Sequence, residues 1–207
     1  MRYMRFLPIN SGLIISTALI LSACDPASSS VSGISFPKDA QIVAALDAQL
    51  KDDPNSAAAR ELVQTLGGEQ GKLKYTIHRV IYRESAYEVH YDAALVMAQP
   101  GEQSLRSLYQ AMIPDEEKST LADDSLGSYS TWLKNHAESL EKDPAQQANG
   151  QALATTLASL EECYANAKAG DEVVVMQGLG AQLLPERQGL YAEKLPMPAT
   201  TVRCLPL

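Results

Sequence analysis

"YEVHYDAALVM", residues 87–97, sets an apolar side chain at every odd position: Tyr87, Val89, Tyr91, Ala93, Leu95 and Met97. Glu88, His90 and Asp92 fall between them. Side chains alternate across a strand with a period of two, so this pattern predicts a half-buried β-strand. The stretch before it, "KLKYTIHRVIY" (72–82), puts Leu73, Tyr75, Ile77 and Ile81 on one face, interrupted by Arg79. Two such runs joined by Arg83-Glu84-Ser85 predict an antiparallel hairpin over about 72–98, although the joint lacks the glycine that favoured tight turns use.

Outside the hairpin the period changes to that of a helix. Ile42, Val43, Leu46 and Leu50 recur at helical spacing, and Asp53-Pro54 restarts the pattern with a capping acid and a first-turn proline. Leu62, Val63 and Leu66 continue it until Gly67-Gly68. After Gly101, Leu105, Leu108, Tyr109 and Met112 make one stripe, ending at Pro114. Asp115, Glu116 and Glu117 follow, where acids favour a helix start. Leu126, Tyr129, Leu133, His136 and Leu140 make a second stripe with Trp132 alongside, and Leu153, Leu157, Leu160, Cys163, Tyr164 and Ala167 a third. Asp143-Pro144 repeats the punctuation of Asp53-Pro54, and we read this as one capping device used twice rather than a duplicated domain. "EVVVMQ" (172–177) predicts a short buried strand and "TTVRCL" (200–205) another. The proline-bearing C-terminal segment between them is too apolar for a disordered tail and is expected to wrap the core as extended chain. The expected fold is therefore α+β: one mostly helical domain over 37–207, with the hairpin and short C-terminal strands.

The first residues carry a different message. Arg2 and Arg5 precede an apolar run from Gly12 to Leu21, the order of a secretory signal. As a helix, Leu13 to Ala23 would cover about 16 Å of a hydrocarbon core of roughly 30 Å, too little to span it. Leu21-Ser22-Ala23-Cys24 then resembles the lipobox of bacterial lipoprotein precursors. The resemblance implies a signal peptide over 1–23, cut by signal peptidase II, a diacylglyceryl group on the Cys24 sulfur, and an acyl chain of the palmitate class on the new amine. Two or three such chains would hold the protein at a membrane, whereas one alone holds only marginally. "DPASSSVSGIS" (25–35) reads as part of a flexible tether over 24–36, reaching on the order of 20 Å. Asp25 resembles the inner-membrane retention signal of enteric lipoproteins, so a periplasm-facing inner-membrane position is expected, with the outer membrane still open.

Neither nucleic acid nor anionic lipid is an expected electrostatic partner. Two of the 17 basic residues and none of the 25 acids precede Cys24, leaving a formal charge of −10 after position 23. In an exported chain Cys163 and Cys204 are expected to pair, the alternative being two separate buried thiols.

Motifs for chemistry are sparse. "GGEQGKL" (67–73) is one residue short of a phosphate loop, "GLGAQL" (178–183) has two of the three glycines of a dinucleotide turn, and "GSYS" (127–130) is no nucleophile elbow. All three are expected to be turns. Matching the apolar faces of the hairpin sets His78 opposite or diagonal to His90, with Glu88 and Asp92 as neighbours. These four are weak candidates for a divalent metal or a pH-sensitive face, against the plainer reading of a solvated sheet face. His136 is expected to pack in the core, Asp123 and Asp124 to lie in a loop or cap, and Glu161 and Glu162 on a solvated flank. No catalytic set assembles and no cofactor is called for. The expectation is a lipid-anchored, non-enzymatic envelope protein that binds another protein or supports an envelope complex. The alternative is a lipoprotein that binds a small ligand or metal through the His78/His90 face, and an envelope enzyme is a third reading.

Overall fold

The computed structural model describes residues 34–206, and the contacts divide the chain after Ser35, so that Phe36–Leu207 forms one unit. The signal, the lipobox with Cys24 and most of the tether lie outside the described residues. The unit is α+β. Its order is α1 (Asp39–Asp52), a 3-10 turn (Pro54–Ser56), α2 (Ala57–Gly67), β1 (Lys72–Arg83), β2 (Ala86–Val96), α3 (Gly101–Met112), α4 (Asp115–Lys118), α5 (Leu126–Lys142), α6 (Gln147–Tyr164), β3 (Glu172–Glu186), β4 (Gly189–Leu195) and β5 (Thr201–Val202).

Local chemistry sets these limits. Asp53 Oδ1 accepts the Asn55 N–H at 2.9 Å, and Asp143 Oδ1 accepts the Ala145 N–H at 2.9 Å, so each Asp-Pro step ends one helix and caps the next turn in the same way. Gly68, at φ 85°, stops α2 with its N–H on the Gln64 carbonyl. Gly101 opens α3 against the end of α6. A Cβ there would stand 1.9 Å from the Tyr164 carbonyl oxygen, so only glycine allows the approach.

The strands form one antiparallel sheet in the order β1-β2-β3-β4, with β5 continuing the outer side of β3. The hairpin forms as its alternation predicts, but its turn is tighter than the three residues expected. Glu84 and Ser85 alone make it, at φ 47° and 71°, the left-handed pair a two-residue turn demands even without glycine. The register also differs from uniform odd-to-odd pairing. Tyr75 faces Ala93 and Ile77 faces Tyr91, but Arg79 then faces His90, because the strand bulges at His78.

The expected short strand at 172–177 is longer. β3 runs fifteen residues, straight through the "GLGAQL" glycines that suggested a turn, and its first half alternates buried and exposed residues instead of being buried throughout. Gly178 (φ 67°) supplies a second bulge opposite Asp92. "GSYS" is likewise the first turn of α5, capped by the Ser125 hydroxyl on the Ser128 N–H. The C-terminal segment adds an unexpected strand, β4, to the sheet rather than wrapping it only as extended chain, and the strand expected at 200–205 is β5, two residues long.

One face of the sheet carries the core. Leu95 of β2 joins Val173 and Val175 of β3 beneath the helices, with Leu66, Leu105, Tyr109, Tyr129, Leu133, Leu157, Leu160 and Tyr164, and Val89, Tyr91 and Ala93 are buried further along β2. Three fully buried tyrosines place their hydroxyls: Tyr109 on the Leu157 carbonyl, Tyr129 on Asp124 and Tyr164 on the Cys204 carbonyl. At the other end of the same face, Ile42, Ala45 and Leu46 of α1 pack towards β4, where Ala192 is buried.

Candidate functional site: the uncovered face of the sheet

The even-numbered residues of β2 point away from the helices, and the charges of the sheet collect there. Four acid–base contacts run along this face. Lys74 of β1 reaches over β2 to Glu172 of β3 at 2.7 Å. His78 Nε2 meets Asp92 Oδ2 at 2.9 Å. Glu88 takes Arg83 Nε on one oxygen at 2.9 Å and His90 Nε2 on the other at 2.6 Å. The loop after β4 crosses part of the face, laying the Met197 thioether on Gly180, where a Cβ would come within 2.6 Å of Met197 Cγ.

Asp92 is the pivot. Its Oδ1 accepts the Gly178 N–H at 2.8 Å, from the bulge in β3, while its Oδ2 takes His78, from the bulge in β1. The β3 bulge falls opposite Asp92 itself, whose carboxylate accepts the Gly178 N–H, whereas the β1 bulge falls between the partners of Tyr91 and His90 and only the His78 side chain reaches back to Asp92. Partial burial pushes the Asp92 carboxyl up, but the Gly178 N–H and His78 outweigh it and hold the group below the usual range. Glu88 is held low chiefly by its bond to His90, with Arg83 adding its charge. Both carboxylates are thus fixed as anions facing basic partners.

The four weak metal candidates are all on this face, but the structure sorts them into two separate pairs, His78 with Asp92 and His90 with Glu88. The bulge at His78 breaks the parity that would have brought the imidazoles together. Among the described residues no group of three or more His, Cys, Asp or Glu side chains could hold a metal ion. Arg83, Gly178 and the Lys74–Glu172 contact were not foreseen. All three depend on strand pairing, which no local spacing in the sequence states.

The remaining candidates fall elsewhere. The Cys163 and Cys204 sulfurs lie at bonding distance, 2.10 Å, with Cα atoms 5.7 Å apart, fastening the C-terminal segment to α6. His136 does not pack in the core. It is exposed on α5 and stacks on Trp132, ring centroids 4.9 Å apart and 15° from parallel. Asp123 and Asp124 lie in the loop before α5, Asp123 accepting the N–H of the capping Ser125 and Asp124 the Tyr129 hydroxyl. Glu161 is more than a solvated flank: it binds Lys134 and the Ser130 hydroxyl of α5 and so ties two helices together. Among the described residues no helix is long and apolar enough to cross a membrane. No family model, no curated protein and no solved structure matches the chain.

Proposed function

We propose that this chain is a bacterial envelope lipoprotein, held at a membrane by lipid on Cys24, whose folded domain acts by binding another protein and not by catalysis. The anchoring half rests on the sequence of residues 2–24. The binding half rests on one observation, the one-sided layering of the domain. The core side chains Val89, Tyr91, Leu95, Val173 and Val175 belong to one face of the sheet, while the other presents the ion pairs Lys74–Glu172 and Arg83–Glu88. Pre-positioned charges of both signs favour a protein partner with a complementary charged surface, because such complementarity sets register and excludes wrong partners. A domain held at a bilayer needs no basic patch of its own to reach it, which accords with the acidic composition.

Two measurements test the two halves separately. The Cys24→Ser precursor, expressed in a bacterium, is expected to escape lipidation and leave the membrane fraction. Unchanged processing and pelleting would sink the anchoring half. A photoreactive residue at Thr76, on the open face, is expected to crosslink one envelope protein that the same probe at Glu138 on α5 does not. Equal labelling from both positions, or none from Thr76, would refute the binding half.

A further inference from the structure

A concavity of about 470 Å³ lies between the α4–α5 connection and the first half of α5. Trp132, the one tryptophan of the chain, forms part of its wall beside Asn135, Thr131, Ser128, Ser125 and Thr120. No charged side chain lines it, although charged residues make up 20% of the sequence. The volume falls in the range of small-molecule sites, about 300–1,000 Å³.

The wall is organised from behind. Asp123 accepts the Ser125 N–H at 3.1 Å and the Ser128 hydroxyl at 2.5 Å, and the Ser125 hydroxyl in turn accepts the Ser128 N–H. His136, stacked on the indole, restrains the Trp132 ring. Thr131 and Asn135 are exposed, one on each side of Trp132 in the chain.

This chemistry selects by exclusion. An anion would find the start of α5 already occupied by the Asp123 carboxylate, with Asp124 beside it. A cation would find no carboxylate in the wall. The Thr120, Ser125 and Ser128 hydroxyls are already bonded within the protein, but a purely apolar molecule would desolvate the Thr131 hydroxyl and the Asn135 carboxamide without pairing them, which is costly. A neutral molecule with an apolar face and a rim of hydroxyls satisfies all three conditions. We propose that this cavity binds a neutral saccharide, the Trp132 indole packing against the C–H face of a sugar ring while Asn135 and Thr131 pair with its hydroxyls. The site lies on the helical layer, away from the charged sheet face, and does not depend on membrane attachment.

Trp132 is its own reporter, since no other tryptophan contributes to the emission. The full chain is titrated with di-N-acetylchitobiose, maltose and cellobiose, followed by tryptophan fluorescence and, in parallel, by calorimetry. At least one sugar is expected to give a saturable spectral change with a dissociation constant of about 1 mM or tighter. Asn135→Ala and Thr131→Ala, both exposed and so compatible with folding, are expected to weaken it about tenfold with an unchanged unfolding midpoint. Three results would overturn the proposal: no saturable change with any of the three sugars to about 20 mM, saturable heat with an unmoved Trp132 spectrum, or variants that bind like the parent.

Discussion

Cutting the link between Cys163 and Cys204 is expected to loosen the whole domain. The pair closes a loop with a sequence separation of 41. On the loop-entropy relation this removes about 13 cal/mol/K from the unfolded chain, or about 4 kcal/mol at 25 °C. One opposing effect is visible. Cys204 sits at φ 57°, in the left-handed region that costs a non-glycine residue about 1 kcal/mol, and release lets it relax. The net loss is about 3 kcal/mol. With a urea slope of roughly 2 kcal/mol/M, the unfolding midpoint should fall by about 1.5 M. The assay is urea unfolding followed by far-ultraviolet circular dichroism on three forms: the oxidised parent, the parent reduced and alkylated, and Cys163→Ala/Cys204→Ala. The two unlinked forms control for each other, because alkylation adds bulk at the buried Cys204 while alanine removes it. A midpoint within about 0.3 M of the parent in both, at an unchanged slope, would show that the C-terminal segment is held by the Tyr164–Cys204 hydrogen bond and strand pairing alone. The entropic reasoning would then be wrong.

Two further outcomes follow from the geometry. Ser85→Gly relieves one of the two left-handed residues of the hairpin turn and should stabilise by roughly 0.5–1 kcal/mol after the entropy cost of glycine, a rise of about 2 °C in calorimetric melting temperature; an unchanged or lower value would mean that the turn does not limit the hairpin. Acid should destabilise the fold. Glu88 is held low by His90, Glu161 by Lys134, Asp115 by Lys118, Asp123 by the Ser125 side chain and Asp53 by the Asn55 N–H. Carboxyls depressed in the folded state contribute stability that is present above their ordinary values, about 4, and lost as pH falls through the folded ones. The melting temperature should therefore hold from neutral pH to about 5 and drop steadily below about 4; a flat profile to pH 3 would contradict these assignments.

Helices and hairpin were legible because each is written locally. Leu105, Leu108 and Tyr109 lie three or four residues apart on one helix, and Val89, Tyr91, Ala93 and Leu95 lie two apart on one strand, so neighbours in sequence already declare the buried side. Asp53-Pro54 and Asp143-Pro144 declare the boundaries just as locally. His136 shows where this reasoning fails. Its position in a stripe of apolar residues says which side of α5 it is near, but the buried arc is narrower, taking Leu133 and Ala137 and leaving His136 to lie on Trp132.

The site was illegible for a different reason. A bulge belongs to a pair of strands, and nothing within "TIHRV" or "MQGLG" states that the partner will present an aspartate between them. Once β2 stands between β1 and β3, the Asp92 carboxylate takes the His78 imidazole from one side and the Gly178 N–H from the other, beside the two shifts of register. The same step decides the fate of the histidines. Without the bulge, parity places His78 near His90 and suggests a shared ion. With it, each imidazole acquires its own carboxylate, and the two contacts lie on the same face as the Lys74–Glu172 and Arg83–Glu88 ion pairs. Composition could supply the residues of this face, but only the pairing of three strands could supply their arrangement, two separate imidazole–carboxylate pairs where parity alone suggests one shared cluster.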